Sequence, residues 1–144
     1  MKKILIIGGG AMGSAFTFPC IDNKNEVTIT EPYNKTFIKN LSSKNKYHSS
    51  LKKNLPKRLK YKKYSTDLLK NKYDLVVVAL SLSGINFISE EFKKSSIKSP
   101  ILILTKGLKY EKKKQKIFTI SEDIKKTNKN NGNSILKFIF KFIL

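Results

Sequence analysis

The chain has 144 residues, which is enough for one domain and too short for two of ordinary size. Its formal net charge of +20 is extreme, but Arg58 is the only arginine and the lysines are scattered along the chain. Forked contacts to phosphates and guanine edges favour arginine over lysine. The charge therefore indicates weak attraction to polyanions and argues against a specific nucleic-acid partner.

Single residues and short apolar runs restrict other functions. Cys20 is the only cysteine, which rules out an intrachain disulfide and fits a reducing, cytoplasmic location. His48 is the only histidine, so a histidine-based metal cluster is excluded; we expect His48 at the surface and Cys20 as a small buried thiol. The run Ile4–Ile7 is too short for a signal peptide, and the tail Ile135–Leu144 is too short to span a membrane.

Strand-like apolar runs alternate with helical patterns along the chain. This alternation predicts a doubly wound α/β fold with a parallel sheet covered on both faces. In the first half, the predicted elements are a strand at Lys3–Ile7, a helix at about Ala11–Ile21, a strand at Glu26–Thr30, a helix at about Lys35–Leu41, a short strand near Leu59–Lys63 and a short helix, capped by Ser65 or Thr66, through Leu69.

The second half continues the alternation. Its predicted elements are a central strand at Asp74–Leu80, a helix carrying Ile85, Ile88 and Phe92, a fifth strand at Ile101–Thr105, an amphipathic helix at Glu111–Lys126 and a sixth edge strand beginning at Ser134–Leu136. Right-handed crossovers then predict the strand order 3-2-1-4-5, with the sixth strand at the edge. We expect residues 1–136 to form one domain and residues 137–144 to be an aberrant tail of apolar residues and lysines.

The most informative motif lies between the first strand and the first helix. Gly8–Gly13 reads G-x-G-x-x-G, with an apolar strand before it and an apolar helix after it, the context that the dinucleotide-binding fingerprint requires. In that reading Gly8 permits the tight turn, Gly10 lets the backbone approach a pyrophosphate, and Gly13 lets the helix pack closely on the strand. The alternative is a glycine-rich connection without a ligand.

Two charged residues follow predicted strands at the edge where such folds bind ligands. Glu31 ends the second strand, where an acid can accept hydrogen bonds from an adenine ribose, and its charge would disfavour the 2′-phosphate of NADP. Lys106 follows the fifth strand and could face both a nicotinamide and an anionic substrate. The alternatives are a solvated carboxylate and a lysine placed by chance. For Asp67, helix capping or solvation is favoured over catalysis.

Five short motifs, including the glycine loop, follow one another along the chain in the order found in a known enzyme family. The sequence resembles the N-terminal half of bacterial NAD(P)-dependent glycerol-3-phosphate dehydrogenases over about Met1–Leu136. The resemblance rests on the glycine loop, a variant N-x-x-Y at Lys44–Tyr47 with Leu55-Pro56, T-D-L at Thr66–Leu68, V-V-V-A at Val76–Ala79 and T-K-G-L at Thr105–Leu108.

The resemblance implies a Rossmann-type domain that binds NAD, with NADP possible. It implies reversible hydride transfer between NAD(P)H and dihydroxyacetone phosphate, which gives glycerol 3-phosphate for phospholipid synthesis. It assigns the cofactor pyrophosphate to Gly8, Gly10, Ala11, Met12 and Gly13, the adenine ribose to Glu31, and the junction of cofactor and phosphate substrate to Lys106. No catalytic residue is assigned here, because the family's proton-transferring lysine belongs to a helical substrate domain that follows. The tail after Leu136 resembles a frameshift or premature end.

Some positions depart from the family. Ala11-Met12 stand where the family has Ser-Trp or Ser-Tyr, Glu31-Pro32 where it has Gly followed by Arg or His, and Ser81-Leu82 where it has Pro-Ser. Two other readings therefore stay open. One is a related reductase of the ketopantoate or 6-phosphogluconate type, against which Thr105–Leu108 argues. The other is a non-catalytic nucleotide-binding remnant.

Overall fold

A parallel sheet covered on both faces organises the chain. The computed structural model describes residues 1–41, 46–105, 107–112, 115–127 and 135–136. The elements are, in chain order, β1 (Lys3–Ile7), α1 (Ala11–Asp22), β2 (Glu26–Thr30), α2 (Lys35–Leu41), β3 (Tyr47–His48), a 3-10 helix (Ser49–Leu51), β4 (Lys53–Asn54), β5 (Lys60–Tyr61), α3 (Thr66–Lys70), β6 (Leu75–Val78), α4 (Gly84–Ser95), β7 (Ile101–Ile103), β8 (Leu108–Glu111), β9 (Lys116–Thr119), α5 (Ile120–Thr127) and β10 (Ile135–Leu136).

The main sheet has the strand order β10-β7-β6-β1-β2-β5, and every pairing in it is parallel. This confirms the predicted doubly wound fold and its order 3-2-1-4-5, with a sixth strand at the edge. The longest pairing joins β1 to β2 over five residue pairs, from Lys3–Glu26 to Ile7–Thr30. The topology places the carboxyl ends of β1, β2, β6 and β7 along one edge of the sheet, where ligands bind in folds of this kind.

Two apolar layers hold the sheet, one on each face. Successive residues of a strand point to opposite faces, so Leu5 and Ile7 belong to one layer while Ile4 and Ile6 belong to the other. The first layer packs β1, β6 and β7 against α3, α4 and α5, with Phe92 fully buried. The second packs β1 and β2 against α1 and α2. Both faces being covered explains why β1 and β6 read as continuous apolar runs.

The amphipathic helix predicted over Glu111–Lys126 is wrong in its first half. Leu108–Glu111 and Lys116–Thr119 form an antiparallel pair, and the helix occupies only Ile120–Thr127. The reason is the position of Ile117, which is 65% exposed and opposite Tyr110 in the hairpin, whereas Ile120 and Ile124 are buried one helical turn apart. Two of the three isoleucines therefore define the helix, and the third lies on a strand.

The lysine-rich segment after α2 has more structure than a loop. Tyr47–His48 pairs with Lys53–Asn54 in a small hairpin around the 3-10 helix, and β5 then adds two residues to the sheet edge next to β2. Lys60 in β5 forms a 2.9 Å ion pair with Glu26 of β2. The tail at residues 137–144 lies outside the described residues.

Candidate functional site

The loop after β1 lies between the ends of its two neighbouring strands. The Gly8 N–H donates to the Thr30 carbonyl at 2.9 Å, on the β2 side. On the other side the Ala79 N–H, just beyond β6, donates to the Ile7 carbonyl at 2.8 Å. The glycine loop thus begins at the middle of the carboxyl edge, with α1 starting immediately behind it.

Two of the glycines are required by close packing. Gly8 has φ +119°, and a Cβ there would lie 2.4 Å from the Ala79 carbonyl oxygen. A Cβ on Gly13 would lie 2.0 Å from the Gly8 carbonyl oxygen. A side chain at either position would therefore push α1 or β6 away from β1, in agreement with the turn and packing roles predicted from the sequence.

Gly10 has different surroundings. A Cβ on Gly10 would meet no atom within 4 Å, so the space in front of the first turn of α1 is open. Gly10 is the N-cap residue of α1 and supplies no side-chain cap, and Gly10, Ala11 and Met12 are all exposed. The first turn of a twelve-residue helix therefore offers its N–H groups and the positive end of its dipole to an anion at this point. This geometry fits a phosphate group bound close to the backbone.

Glu31 is buried and organises the loop from the β2 side. Its Oε2 accepts a 2.6 Å hydrogen bond from the Gly9 N–H, and its Oε1 accepts from the N–H groups of Tyr33 at 2.7 Å and Asn34 at 3.2 Å. The solvated carboxylate considered as an alternative is wrong, since Glu31 is only 7% exposed. A carboxylate offers about four acceptor directions, so one remains on Oε2. The ribose contact stays a prediction.

His48 is where the sequence-based expectation fails most clearly. The sequence predicts it at the surface, but it is 7% exposed and its Nε2 lies 2.9 Å from the Gly9 carbonyl oxygen. Phe37 packs edge-on against the imidazole, with ring centroids 5.8 Å apart, and also fills the space where a Cβ on Gly9 would lie. No local sequence pattern predicts this contact, because it joins residues that are 39 positions apart.

The field of the Glu31 carboxylate reaches two tyrosines. Burial, followed by this negative charge, raises the pKa of Tyr33 and of Tyr61 above the ordinary value. The hydroxyls of Tyr61 and Thr30 are buried and have no hydrogen-bond partner within the described part of the chain. Thr30 at the end of β2 and Tyr61 in the adjacent β5 therefore each have an unsatisfied buried hydroxyl in the described part of the chain.

The remaining predicted residues lie elsewhere or outside the description. Lys106 is outside the described residues, although Thr105, just before it, donates a 2.8 Å hydrogen bond to the Leu80 carbonyl at the same edge. Asp67 lies exposed in the first turn of α3 and pairs with Lys70 at 2.7 Å, which agrees with the prediction of a solvated carboxylate. Cys20 is buried, as expected.

The described part of the chain contains no helix that is long and apolar enough to cross a membrane. Within the same ranges, no group of three or more His, Cys, Asp or Glu side chains is arranged to hold a metal ion.

Comparison with protein families matches residues 3–135 to the NAD-dependent glycerol-3-phosphate dehydrogenase N-terminus. No curated protein sequence matches significantly. Among solved structures, a glycerol-3-phosphate dehydrogenase from Coxiella burnetii superposes with a TM-score of 0.70 at 16% identity, over 88% of this chain and 38% of that one. A glycerol-3-phosphate dehydrogenase from Plasmodium falciparum gives 0.71 at 20% identity, with the same coverage.

A more distant neighbour shares the fold. A protein from Enterococcus faecalis that is assigned as a 2-dehydropantoate 2-reductase superposes with a TM-score of 0.57 at 18% identity, over 87% of this chain and 37% of that one. At these identities the superpositions show the fold alone. The chain spans less than two fifths of the length of each of these three structures.

Proposed function

This chain belongs to the family of NAD-dependent glycerol-3-phosphate dehydrogenase N-terminal domains, and on that premise we propose that it binds NAD at the carboxyl edge of its sheet. The observation that carries the proposal is the open space at Gly10, in front of an α1 that begins without a side-chain cap. A side chain at Gly10 would fill this space, whereas the bare backbone leaves room for a pyrophosphate.

Each residue of the loop has a separate part in the proposed site. Gly8 and Gly13 bring α1 close to β1, and the first-turn N–H groups of Gly10, Ala11 and Met12 bind the phosphates. The bound dinucleotide would supply a nicotinamide able to accept or donate hydride. The chain's own residues bind and orient it.

Glu31 is proposed to select NAD over NADP. Its charge would repel a 2′-phosphate, and its one remaining acceptor direction would suit a ribose hydroxyl. The three backbone N–H groups fix the carboxylate in place, so it would not have to be ordered when the nucleotide binds. Lys106 is proposed at the junction of cofactor and substrate, on the basis of its position in Thr105–Leu108.

We propose that this domain takes part in the reaction of its family. It is reversible hydride transfer between the nicotinamide and dihydroxyacetone phosphate, giving glycerol 3-phosphate for phospholipid synthesis in the cytoplasm. We expect the 144-residue chain to bind NAD without turnover, because the resemblance places the proton-transferring lysine in a second domain. General acid–base help alone is typically worth a factor of about 10²–10⁴.

Calorimetric titration of the 144-residue chain with NAD and with NADP tests the binding proposal. We expect NAD to bind more tightly than NADP, and Glu31→Gln to narrow that difference by removing the charge. Failure of both nucleotides to bind would refute the proposed function, and tighter binding of NADP would refute the role of Glu31.

A spectrophotometric assay with NADH and dihydroxyacetone phosphate separates a catalytic chain from a nucleotide-binding remnant. We expect no oxidation of NADH above the rate without protein. Sustained turnover that scales with protein concentration would show that the chain carries its own proton donor.

A further inference from the structure

The hydrogen bonds of His48 determine which of its nitrogens carries the proton. The backbone N–H of Leu51 donates to Nδ1 at 3.2 Å, so Nδ1 must be the acceptor. The imidazole therefore carries its hydrogen on Nε2, which donates to the Gly9 carbonyl 2.9 Å away. The 3-10 helix after β3 thus fixes the tautomer of His48, and His48 in turn holds one carbonyl of the glycine loop.

That carbonyl controls the direction of the next N–H group. In a trans peptide the C=O and the N–H point in opposite directions, and none of the described peptide bonds is cis. The hydroxyl of Ser14 donates to the same Gly9 oxygen at 3.0 Å, and both contacts are buried. With its carbonyl held by His48 and Ser14, the Gly9–Gly10 peptide directs the Gly10 N–H away from these two side chains, and Gly10 itself is exposed.

The preceding peptide is held as well. The Gly9 N–H donates to Glu31, so Gly9 is fixed through its N–H from β2 and through its carbonyl from β3. The Phe37 ring packs against both Gly9 and the His48 imidazole. A loop of glycines has many accessible conformations, and these contacts select one of them before any ligand arrives.

We propose that His48 is a positioning residue for the dinucleotide phosphates, acting through the Gly9 carbonyl to aim the Gly10 N–H at a phosphate oxygen. The inference rests on the proposed function, since it assumes that a phosphate binds at this loop. An N–H held in the bound orientation binds an anion more tightly than one that must first be ordered. Without the His48 contact, the Ser14 hydroxyl would be the one remaining side-chain donor described on the Gly9 carbonyl, so the Gly9–Gly10 peptide would be held less firmly.

Two substitutions separate this role from simple packing. His48→Gln can place an amide N–H near the position of Nε2, whereas His48→Asn can place an amide oxygen near the position of Nδ1. Each variant keeps one of the two hydrogen bonds, so both should lose similar thermal stability. Only His48→Asn loses the contact to Gly9. We expect it to weaken NAD binding about tenfold, the loss typical of one hydrogen bond, and His48→Gln to stay within about threefold of the unmodified chain.

An NMR measurement on the ligand-free chain tests the contact separately from binding. The Gly10 amide nitrogen shares a peptide bond with the Gly9 carbonyl, so its resonance should shift in His48→Asn and stay in place in His48→Gln. Ser14→Ala removes the other donor to the same oxygen and should shift the resonance in the same direction. It serves as the second variant if His48→Asn does not fold.

The outcomes distinguish the two proposals. Equal NAD affinity in the unmodified chain and both His48 variants would overturn the positioning role and leave the proposed function intact, and so would an equal loss in both variants. A Gly10 resonance that shifts only in His48→Asn, in a chain that binds no nucleotide, would show that the contact is right and that the proposed function is wrong.

Discussion

Oε2 of Glu31 lies 2.6 Å from the peptide nitrogen of Gly9, and this hydrogen bond ties the end of β2 to the loop that follows β1. The same carboxylate accepts the N–H groups of Tyr33 and Asn34, which stabilises the turn before α2. Hydrogen bonds to a carboxylate are about twice as strong as those between neutral groups, so Glu31 should contribute strongly to the stability of the glycine loop and of the turn before α2.

Replacing Glu31 should therefore lower stability as well as change nucleotide preference. Glu31→Ala leaves three backbone N–H groups without their acceptor, and we expect a loss of about 1–3 kcal/mol in the free energy of unfolding. Glu31→Gln keeps one amide oxygen but turns its NH₂ group towards one of the donors, so its loss should be smaller. Urea denaturation measures both, and an alanine variant as stable as the unmodified chain would contradict this account.

The adjacent glycines 9 and 10 should respond differently to the same methyl group. A Cβ on Gly9 would lie 2.3 Å from the Phe37 ring, so Gly9→Ala should lose about 1–3 kcal/mol by overpacking. Gly10→Ala enters open space and should change stability by less than about 1 kcal/mol.

Calorimetric titration of the pair with NAD completes the comparison. Gly10→Ala should bind NAD more weakly, because its methyl group would occupy the space in which we propose that the phosphates bind. A stable Gly10→Ala with unchanged affinity would show that no ligand approaches the backbone there.

A buried carboxylate on α4 should make the fold sensitive to acid. Glu91 accepts hydrogen bonds from Thr66 and from Tyr64 at 3.2 Å, and pairs with Lys94 at 3.0 Å. The Thr66 hydrogen bond is the largest of the causes that hold the pKa of Glu91 below its ordinary value of 4.5. A carboxyl whose pKa is lower in the folded state adds stability above its unfolded pKa, and this stability is lost as the pH falls below about 4.5.

Unfolding free energies measured between about pH 6 and pH 3 test this dependence. Glu91→Gln should make the decline with acid less steep. Glu90→Gln, on the exposed neighbour that pairs with Lys93 at 2.9 Å, is the matched control and should leave the steepness unchanged. Equal slopes for both variants would show that Glu91 does not carry the acid sensitivity.

The sequence predicts the sheet far better than the site. β1 and β6 are recognisable because both of their faces are buried, which requires continuous apolar runs, and β2 is recognisable by its β-branched residues. The prediction over Glu111–Lys126 is wrong because isoleucines three residues apart fit a helix whether or not the first of them is buried.

The contacts that shape the loop depend on tertiary structure. His48 and Glu31 contact Gly9 from separate elements, 39 and 22 positions away in the sequence. No periodic pattern in the sequence predicts either contact. The position of His48 in a lysine-rich stretch predicts a surface residue, because nothing in the local sequence gives a reason for its burial. The glycine loop itself was predictable, since its turn and its packing on β1 are local requirements.

The single thiol should be protected by the fold. Cys20 is buried in the layer between α1 and the sheet, and burial raises its pKa above the ordinary value. Because the thiolate is the reactive form, a thiol reagent should modify the native chain slowly and the urea-unfolded chain rapidly. Ser50 is exposed, so Ser50→Cys in a Cys20→Ala background supplies an exposed control of the same chemistry. Equal native rates for the two thiols would contradict the burial of Cys20.

The edge strand β5 bears on how copies of this chain behave towards one another. It adds only two residues to the sheet; Lys60 in the strand and Lys62 and Lys63 directly after it are all exposed. An uncovered edge is a template for another strand, and short length and lysines are the usual protection against that pairing. Repulsion between such edges reaches about 10 Å at 0.1 M salt but only about 3 Å at 1 M. Colloidal stability of the protein should therefore depend on ionic strength, with self-association favoured as salt is added.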